Sequence, residues 1–379
     1  MRSRRSRRRY TLNTSSKVAK AADRSGASRS PATKPIRIKS ARVALAVSVP
    51  IAALILVGAA CLGSVFVPPA NLVAILASRL TGSPLPEGIT ALSAGVVWNL
   101  RIARVLLAFL AGAALAASGA VMQSVLRNPL ASAYTLGVSS GASLGAGLVM
   151  LAGVSIPIAG AFALPFAGFA SSLLAMAIVM GISRAIDPRL DNDTIILAGM
   201  VFSLFVSAIL TLLSALSGQE MSRLMYWQMG SFALRGWEAV AVLAPVLACA
   251  LAALMALSRE LDILTFGEDE AASIGVPVRA VKPALVAVAS ALAGCTIAFT
   301  GVIGFLDLAV PHAVRRVFGP SHRRVIPFSA LAGGTLMVVA DLIARTMIPP
   351  LDLPVGAVTA ILRAPFFAWV FFRSRRGRA

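Results

Sequence analysis

Few side chains in this sequence have the type and spacing that chemistry needs. The two histidines, His312 and His322, stand ten residues apart with no carboxylate pattern between them, which is not the spacing of a metal site. The three cysteines, Cys61, Cys249 and Cys295, lie singly in apolar runs, so neither a zinc site nor a disulfide framework is expected. There is no GxxxxGK phosphate loop followed by Ser or Thr, no HExxH and no Gly-rich dinucleotide fingerprint. No metal and no directly bound cofactor is expected, and an enzyme acting alone is not the reading.

Two features remain. Asp307, Asp341 and Arg363 place charges within apolar runs, as gradient-driven carriers do when they bind a coupling ion. The stretch LDILTFGEDEAASIGVPVRAVK, residues 261–282, is polar and structured, as a chain that borrows an external motor would require. Gly267 marks a turn, and Glu268 to Ile274 can form a short helix. Glu268, Asp269 and Glu270 suit its N-terminus through the helix dipole. Gly275 and Pro277 end it. An ordinary solvated loop is the competing reading.

The elements that must carry these residues follow from composition. The chain of 379 residues is 58% hydrophobic and only 13% charged, with mean hydropathy +0.85. Soluble domains carry about 25% charged residues. Lipid is therefore the main solvent, and the chain reads as an all-α polytopic membrane protein. Apolar runs predict ten helices, at about 43–66, 98–123, 134–153, 157–183, 193–217, 237–258, 280–302, 304–318, 327–347 and 355–372. The runs at 134–153 and 304–318 are Gly-rich or short, and such spans need protein around them. Between two of these runs, RNPLASAYTLGVSSGAS (127–143) reads as a short turn followed by a helix start. Its Ser139, Ser140 and Ser143 serve either close packing or a polar path.

Net charge is +20, and its placement matters more than its size. Residues 1–42 hold fourteen Lys and Arg against Asp23 alone, and their composition predicts a disordered basic tail. It would rest on anionic lipid or meet an RNA or protein partner; no specific nucleic acid is expected for the rest of the chain. With the N-terminus in the cytoplasm, the inside loops beyond the tail carry fourteen basic residues and the outside loops six. This orientation gives an even number of spans, both termini cytoplasmic, and a multi-pass location in the cell membrane. The expected layout is a tail at 1–42, a transmembrane permease domain at 43–373 and a short C-terminal tail at 374–379.

The motifs WNLRIARVLLAFLAGAALAASGAVMQSVLRNPLA, LGVSSGAS, ILAGMVFSLF, YWQMGSFA, LTFGEDEAASIGVPV, FTGVIGFLDLAVPHAVRRVFGPSHRRVIPFSALAGG, ADLIAR and LPVGAVTAILRAPFF span about 98–373. Together they resemble the FecCD-type permeases, the membrane subunits of ABC importers for iron–siderophore complexes, haem and cobalamin. The resemblance implies a cobalamin-permease-like (type II ABC importer) fold with ten helices, in a homodimer or paired heterodimer. It also implies two cytoplasmic ATPase subunits that bind the ATP, and an extracytoplasmic substrate-binding protein. It makes 261–276 the segment that docks into the ATPase, through Gly267, Glu268, Ala271, Ala272 and Gly275. It assigns Arg101, Arg104 and Arg345 to docking of the binding protein, where exposed cations would steer an acidic partner; headgroup anchoring is the alternative. It makes Asn192 and Asp193 candidate cytoplasmic gate residues, although both also suit an N-cap.

This sequence departs from the family in two places, with Asp307 and Arg363 standing where the family usually has Gly. Their opposite charges at similar depth suggest an intramembrane ion pair. A charged lining for an anionic cargo, or a degenerate subunit, are the rivals. The leading reading is thus an importer permease for an iron–siderophore or similar metal chelate. A gradient-driven carrier using Asp307 or Asp341 is the runner-up.

Overall fold

In hydrocarbon a backbone N–H or C=O has no water to bond, so it must be paired within its own segment, and apolar runs become helices. A computed structural model describes residues 41–63, 65–152, 162–216, 220–363 and 365. In chain order its helices are α1 (Ala41–Cys61), α2 (Pro69–Thr81), α3 (Ala91–Val125), α4 (Val138–Ala152), α5 (Ala163–Ile186), α6 (Asn192–Leu216), α7 (Glu220–Gln228) and α8 (Gly236–Ala256). They continue with α9 (Ser258–Leu264), α10 (Glu268–Ser273), α11 (Val278–Thr300), α12 (Leu306–Phe318), α13 (His322–Thr346) and α14, at 355–363. Among the described residues the only β pairing is an isolated bridge between Ile348 and Leu351.

A helix stands at each of the ten apolar runs. Seven of the described helices are long and apolar enough to cross a membrane. The others, α4, α12 and the described part of α14, are shorter. Nearly all of the basic tail at 1–42, and the tail at 374–379, lie outside the described residues; α1 starts within the expected tail, at Ala41.

The centre belongs to α3. It is 35 residues long and begins well before the expected position 98, because Thr90 caps it by accepting the Ser93 N–H at 3.2 Å. A π-helical turn at Val97–Ile102 then re-aims the Trp98 and Arg101 segment. Its C-terminal two-thirds is Ala- and Gly-rich and almost wholly buried. Small residues let neighbouring backbones approach without a hydrophobic driving force. At Gly112 an added Cβ would strike the carbonyl of Gly333 on α13, and at Gly119 it would strike the carbonyl of Asp307 on α12.

The helices α2 and α7 stand where the sequence predicts none, as does α9. The first, α2, has Pro at its N-terminus and Gly82 in the left-handed region (φ 72°) as its C-cap, with only Leu72 and Ile75 buried. The second, α7, buries Leu224 and Trp227. Both are too short to register as membrane spans.

Gly119→Val should therefore destabilise the fold by about 1–3 kcal/mol through overpacking. Thermal unfolding in detergent would show a lowered midpoint, and an unchanged midpoint would contradict the contact.

Candidate functional site

Two polar clusters lie along α3, one part-way along it and one at its C-terminal end, and Arg104 and Ser124 mark them. Twenty residues of helix at 1.5 Å each separate the two by about 30 Å.

The first cluster centres on Arg104. Its Nε donates to Asp341 Oδ1 and Oδ2 at 3.0 and 3.1 Å, and its Nη2 donates to Asp341 Oδ1 at 2.8 Å. The outer face of the same guanidinium donates to Asp352, Nη1 to Oδ2 at 2.6 Å and Nη2 to Oδ1 at 2.9 Å. Arg345, one turn beyond Asp341 on α13, pairs with Asp341 at 3.5 Å and donates to the Ala59 carbonyl of α1. Arg101 donates to the Cys61 carbonyl at 3.4 Å. Nearby, Trp98 and Trp237 pack with ring centroids 4.7 Å apart, and Trp237 Nε1 donates to the Trp98 carbonyl.

Arg104 and Arg345 are thus not the exposed cations that the sequence suggested. Asp341 is 1% exposed and the Arg104 side chain 12%, because a carboxylate taken this far from water needs cationic partners. That also occupies Asp341, one of the two residues considered as a carrier's proton site. Arg101 is partly exposed and has no carboxylate partner among the described residues.

The second cluster joins three loops and helix ends. Gly267 adopts φ 144°, a conformation that disfavours any Cβ, and starts α10. Ala271 of that helix is buried, whereas Ala272, Gly275 and Phe266 are exposed, Phe266 by 78%. Glu268 accepts from Lys282 at 2.6 Å, and the same Nζ donates to the Leu190 carbonyl at 2.5 Å. Lys282 is only 2% exposed.

Leu190 belongs to the 187–193 loop, whose last two residues open α6 and which Asp187 organises by accepting the N–H of Arg189 at 3.0 Å and of Asp191 at 2.9 Å. Those two donors hold the Asp187 carboxyl below the usual carboxylate range. Asp191 caps α6, its Oδ2 accepting the Asp193 N–H at 3.2 Å. The N-cap that the sequence reading placed at Asn192 or Asp193 is therefore one residue earlier. Asn192 is buried with its Oδ1 unpartnered, and Asp193 is exposed. Asp193 and Thr194 border a cavity of about 460 Å³ with Ile182, Ile186, Leu197 and Phe202.

The spacing of the histidines gave no hint of what His322 does. Asp262 on α9 binds its Nδ1 at 2.6 Å and its N–H at 2.8 Å, and His322 Nε2 meets Ser124 Oγ at 2.7 Å. Arg315 donates to Ser124 Oγ at 2.9 Å, to the Ala120 carbonyl at 2.7 Å and to Gln123. Gln123 Nε2 donates in turn to the carbonyls of Asp307 and Leu308, each at 3.2 Å. An Asp–His–Ser order here makes no nucleophile, because Ser124 is buried and already bonded by Arg315. The network ties α3, α9, α12 and α13 together.

Asp307 stands at the N-terminus of α12, 3% exposed, with neither carboxylate oxygen hydrogen-bonded. The charge of Arg363, the Ser132 hydroxyl and the N–H groups of Phe305 and Asp307 itself lie close enough to act on it. Arg363 is exposed and lies against Gly304, where an added Cβ would be 3.2 Å from its Nη2. Arg363 thus lies near enough for its charge to act on Asp307, and no contact within 4 Å between their charged atoms closes the pair.

A family model described as the FecCD transport family matches residues 50–373. The chain is 38% identical over 298 residues to the cobalamin import system permease protein BtuC of Halobacterium salinarum, covering 78% of each chain. It is 35% identical over 280 residues to the Fe(3+) dicitrate transport system permease protein FecD of Escherichia coli, covering 74% of this chain and 86% of that one. It is also similar to a solved structure described as an inward-facing metal-chelate type ABC transporter, with a TM-score of 0.74 and 26% identity, covering 88% of this chain and 99% of the other.

Removing one partner from a buried ion pair costs about 3–5 kcal/mol, because the other charge is left uncompensated. Arg104→Gln should lower the thermal unfolding midpoint in detergent. Pairing it with Asp341→Asn should recover most of the loss. A single mutant as stable as the parent would contradict the structural role of the cluster.

Proposed function

The chain belongs to the FecCD transport family of ABC importer permeases, and from that premise we propose that it carries a metal chelate, such as a ferric siderophore complex, across the cell membrane. Relatives named for cobalamin and for ferric dicitrate support a chelated metal as the cargo class. In this reading two ATPase subunits bind the end carrying α10, a binding protein delivers cargo at the end carrying Arg101, and a second permease subunit completes the path. ATP acts through the ATPase subunits, and this chain does no bond chemistry. Both termini then lie on the ATPase side, as the distribution of basic loop residues favours.

The observation that carries the proposal is the short helix α10. It presents exposed Ala272 over a buried Ala271, the exposed Gly275 follows it in the next turn, and the exposed Phe266 precedes it. Its first residue, Glu268, is bonded through Lys282 to the loop beside Asn192 and Asp193. A surface that only faced water would not need a buried lysine behind it. Arg101 is the docking candidate with its charge still available to a partner; Arg104 and Arg345 would support it from below.

A gradient-driven carrier would need a free ionisable group within the spans. Asp341 is paired twice, which leaves Asp307 to that reading. Proteoliposomes holding this permease, its ATPase subunits and its binding protein should accumulate an iron-55 chelate only with ATP inside the ATPase compartment. Collapsing the proton gradient should leave uptake intact. Uptake that survives ATP depletion and stops with the proton gradient would overturn the importer reading.

A further inference from the structure

We propose that Lys282 is the positioning residue that transmits motion of α10 to the 187–193 loop. The inference rests on α10 being the ATPase contact. Lys282 stands on the first turns of α11 and belongs to neither of the segments it joins. Its Nζ is held by one side-chain carboxylate, Glu268, and one backbone carbonyl, Leu190, ninety-two residues away in the chain. Among the described residues these are the hydrogen bonds its ammonium makes.

A lysine removed from water needs such partners, so the two bonds are not interchangeable with solvent. If Glu268 moves, the ammonium must follow or lose its counter-charge. If the ammonium moves, the Leu190 carbonyl must follow or lose its donor. The linkage is therefore mechanical and two-sided, through a rigid helix start and two short polar contacts.

The receiving loop is built to respond. Leu190 sits at φ 57°, in the left-handed region that a branched residue occupies only when its surroundings hold it there. The Lys282 bond to its carbonyl is one of those restraints, and the Leu190 N–H bond to the Asp187 carbonyl at 2.9 Å is another. Immediately downstream, Asn192 is buried with an Oδ1 that lacks a donor. A buried amide oxygen left unbonded in one arrangement favours another in which it is bonded. Releasing or shifting Leu190 moves this residue first, and α6 begins there. A second path leaves the same region through Asp262, His322 and Ser124. It leads to α3 and not to the loop, so it does not bypass Lys282.

The test needs no cargo. In a chain with Cys61, Cys249 and Cys295 replaced by alanine, Arg189→Cys reports on the exposed loop. The permease is purified as the assembled complex with its ATPase subunits, and maleimide labelling is timed with and without ATP and vanadate. With Lys282 present, nucleotide should change the labelling rate about fivefold or more, the range of a typical coupling between sites. Lys282→Met keeps the length of the side chain and removes the charge. It should keep ATP hydrolysis while the nucleotide-dependent change disappears. Lys282→Arg, which can still reach a carboxylate and a carbonyl, should restore it.

A Lys282→Met complex that still shows the full nucleotide effect would overturn the inference and leave the importer reading standing. If the parent complex binds no ATPase subunit, or shows no nucleotide effect, the importer reading fails and this one with it. If Lys282→Met fails to assemble, Glu268→Gln replaces it in the same experiment. It removes one of the two bonds and should weaken the nucleotide effect, and an undiminished effect would again overturn the inference.

Discussion

Backbone contact along α3 is the constraint on which the other interactions depend. Gly112 and Gly119 let the carbonyls of Gly333 and Asp307 come to where a side chain would otherwise be. In lipid there is no hydrophobic drive to pull helices together, so close packing between small residues must do it. Once α12 and α13 lie against α3, their polar residues have no access to water along most of their length. Any charge there must find a partner.

The two polar clusters answer that requirement differently. In one, Arg104 is saturated by Asp341 and Asp352, and Arg345 closes the group onto α1. That is a clamp between α3, α13 and the segment after it. In the other, the bonds run between a short exposed helix, a loop and the starts of long helices, through Lys282 and through His322. These contacts join segments that lie far apart in sequence and can shift as units. Asp307 fits neither pattern, being buried without a closed hydrogen bond.

Much of this was legible in the sequence because hydrocarbon makes helix positions a matter of apolar run length. The ten runs and the glycine turn before Glu268 could be read from residue type, and the cap of α6 to within two residues. What escaped the reading was pairing across long separations. Arg104 and Asp341 are 237 positions apart, and Lys282 and Leu190 are 92 apart. No local pattern announces such a meeting. The arginines therefore read as exposed, and Lys282 read only as one more basic loop residue. The spacing of His322 argues only against a metal site, and its carboxylate partner lies 60 positions away. The helices α2 and α7 escaped for a different reason, since neither is long enough to show as a span. Helix end signals did mark α2, in Pro69 and Gly82.

The central claim is that α10 and the 187–193 loop move as one piece. It is tested most directly by paired spin labels in the assembled complex, at Ala272→Cys with Arg189→Cys and at Arg79→Cys with Arg189→Cys. The account predicts that ATP leaves the 272–189 distance unchanged while the 79–189 distance shifts. A 272–189 distance that changes with nucleotide while 79–189 stays fixed would contradict it.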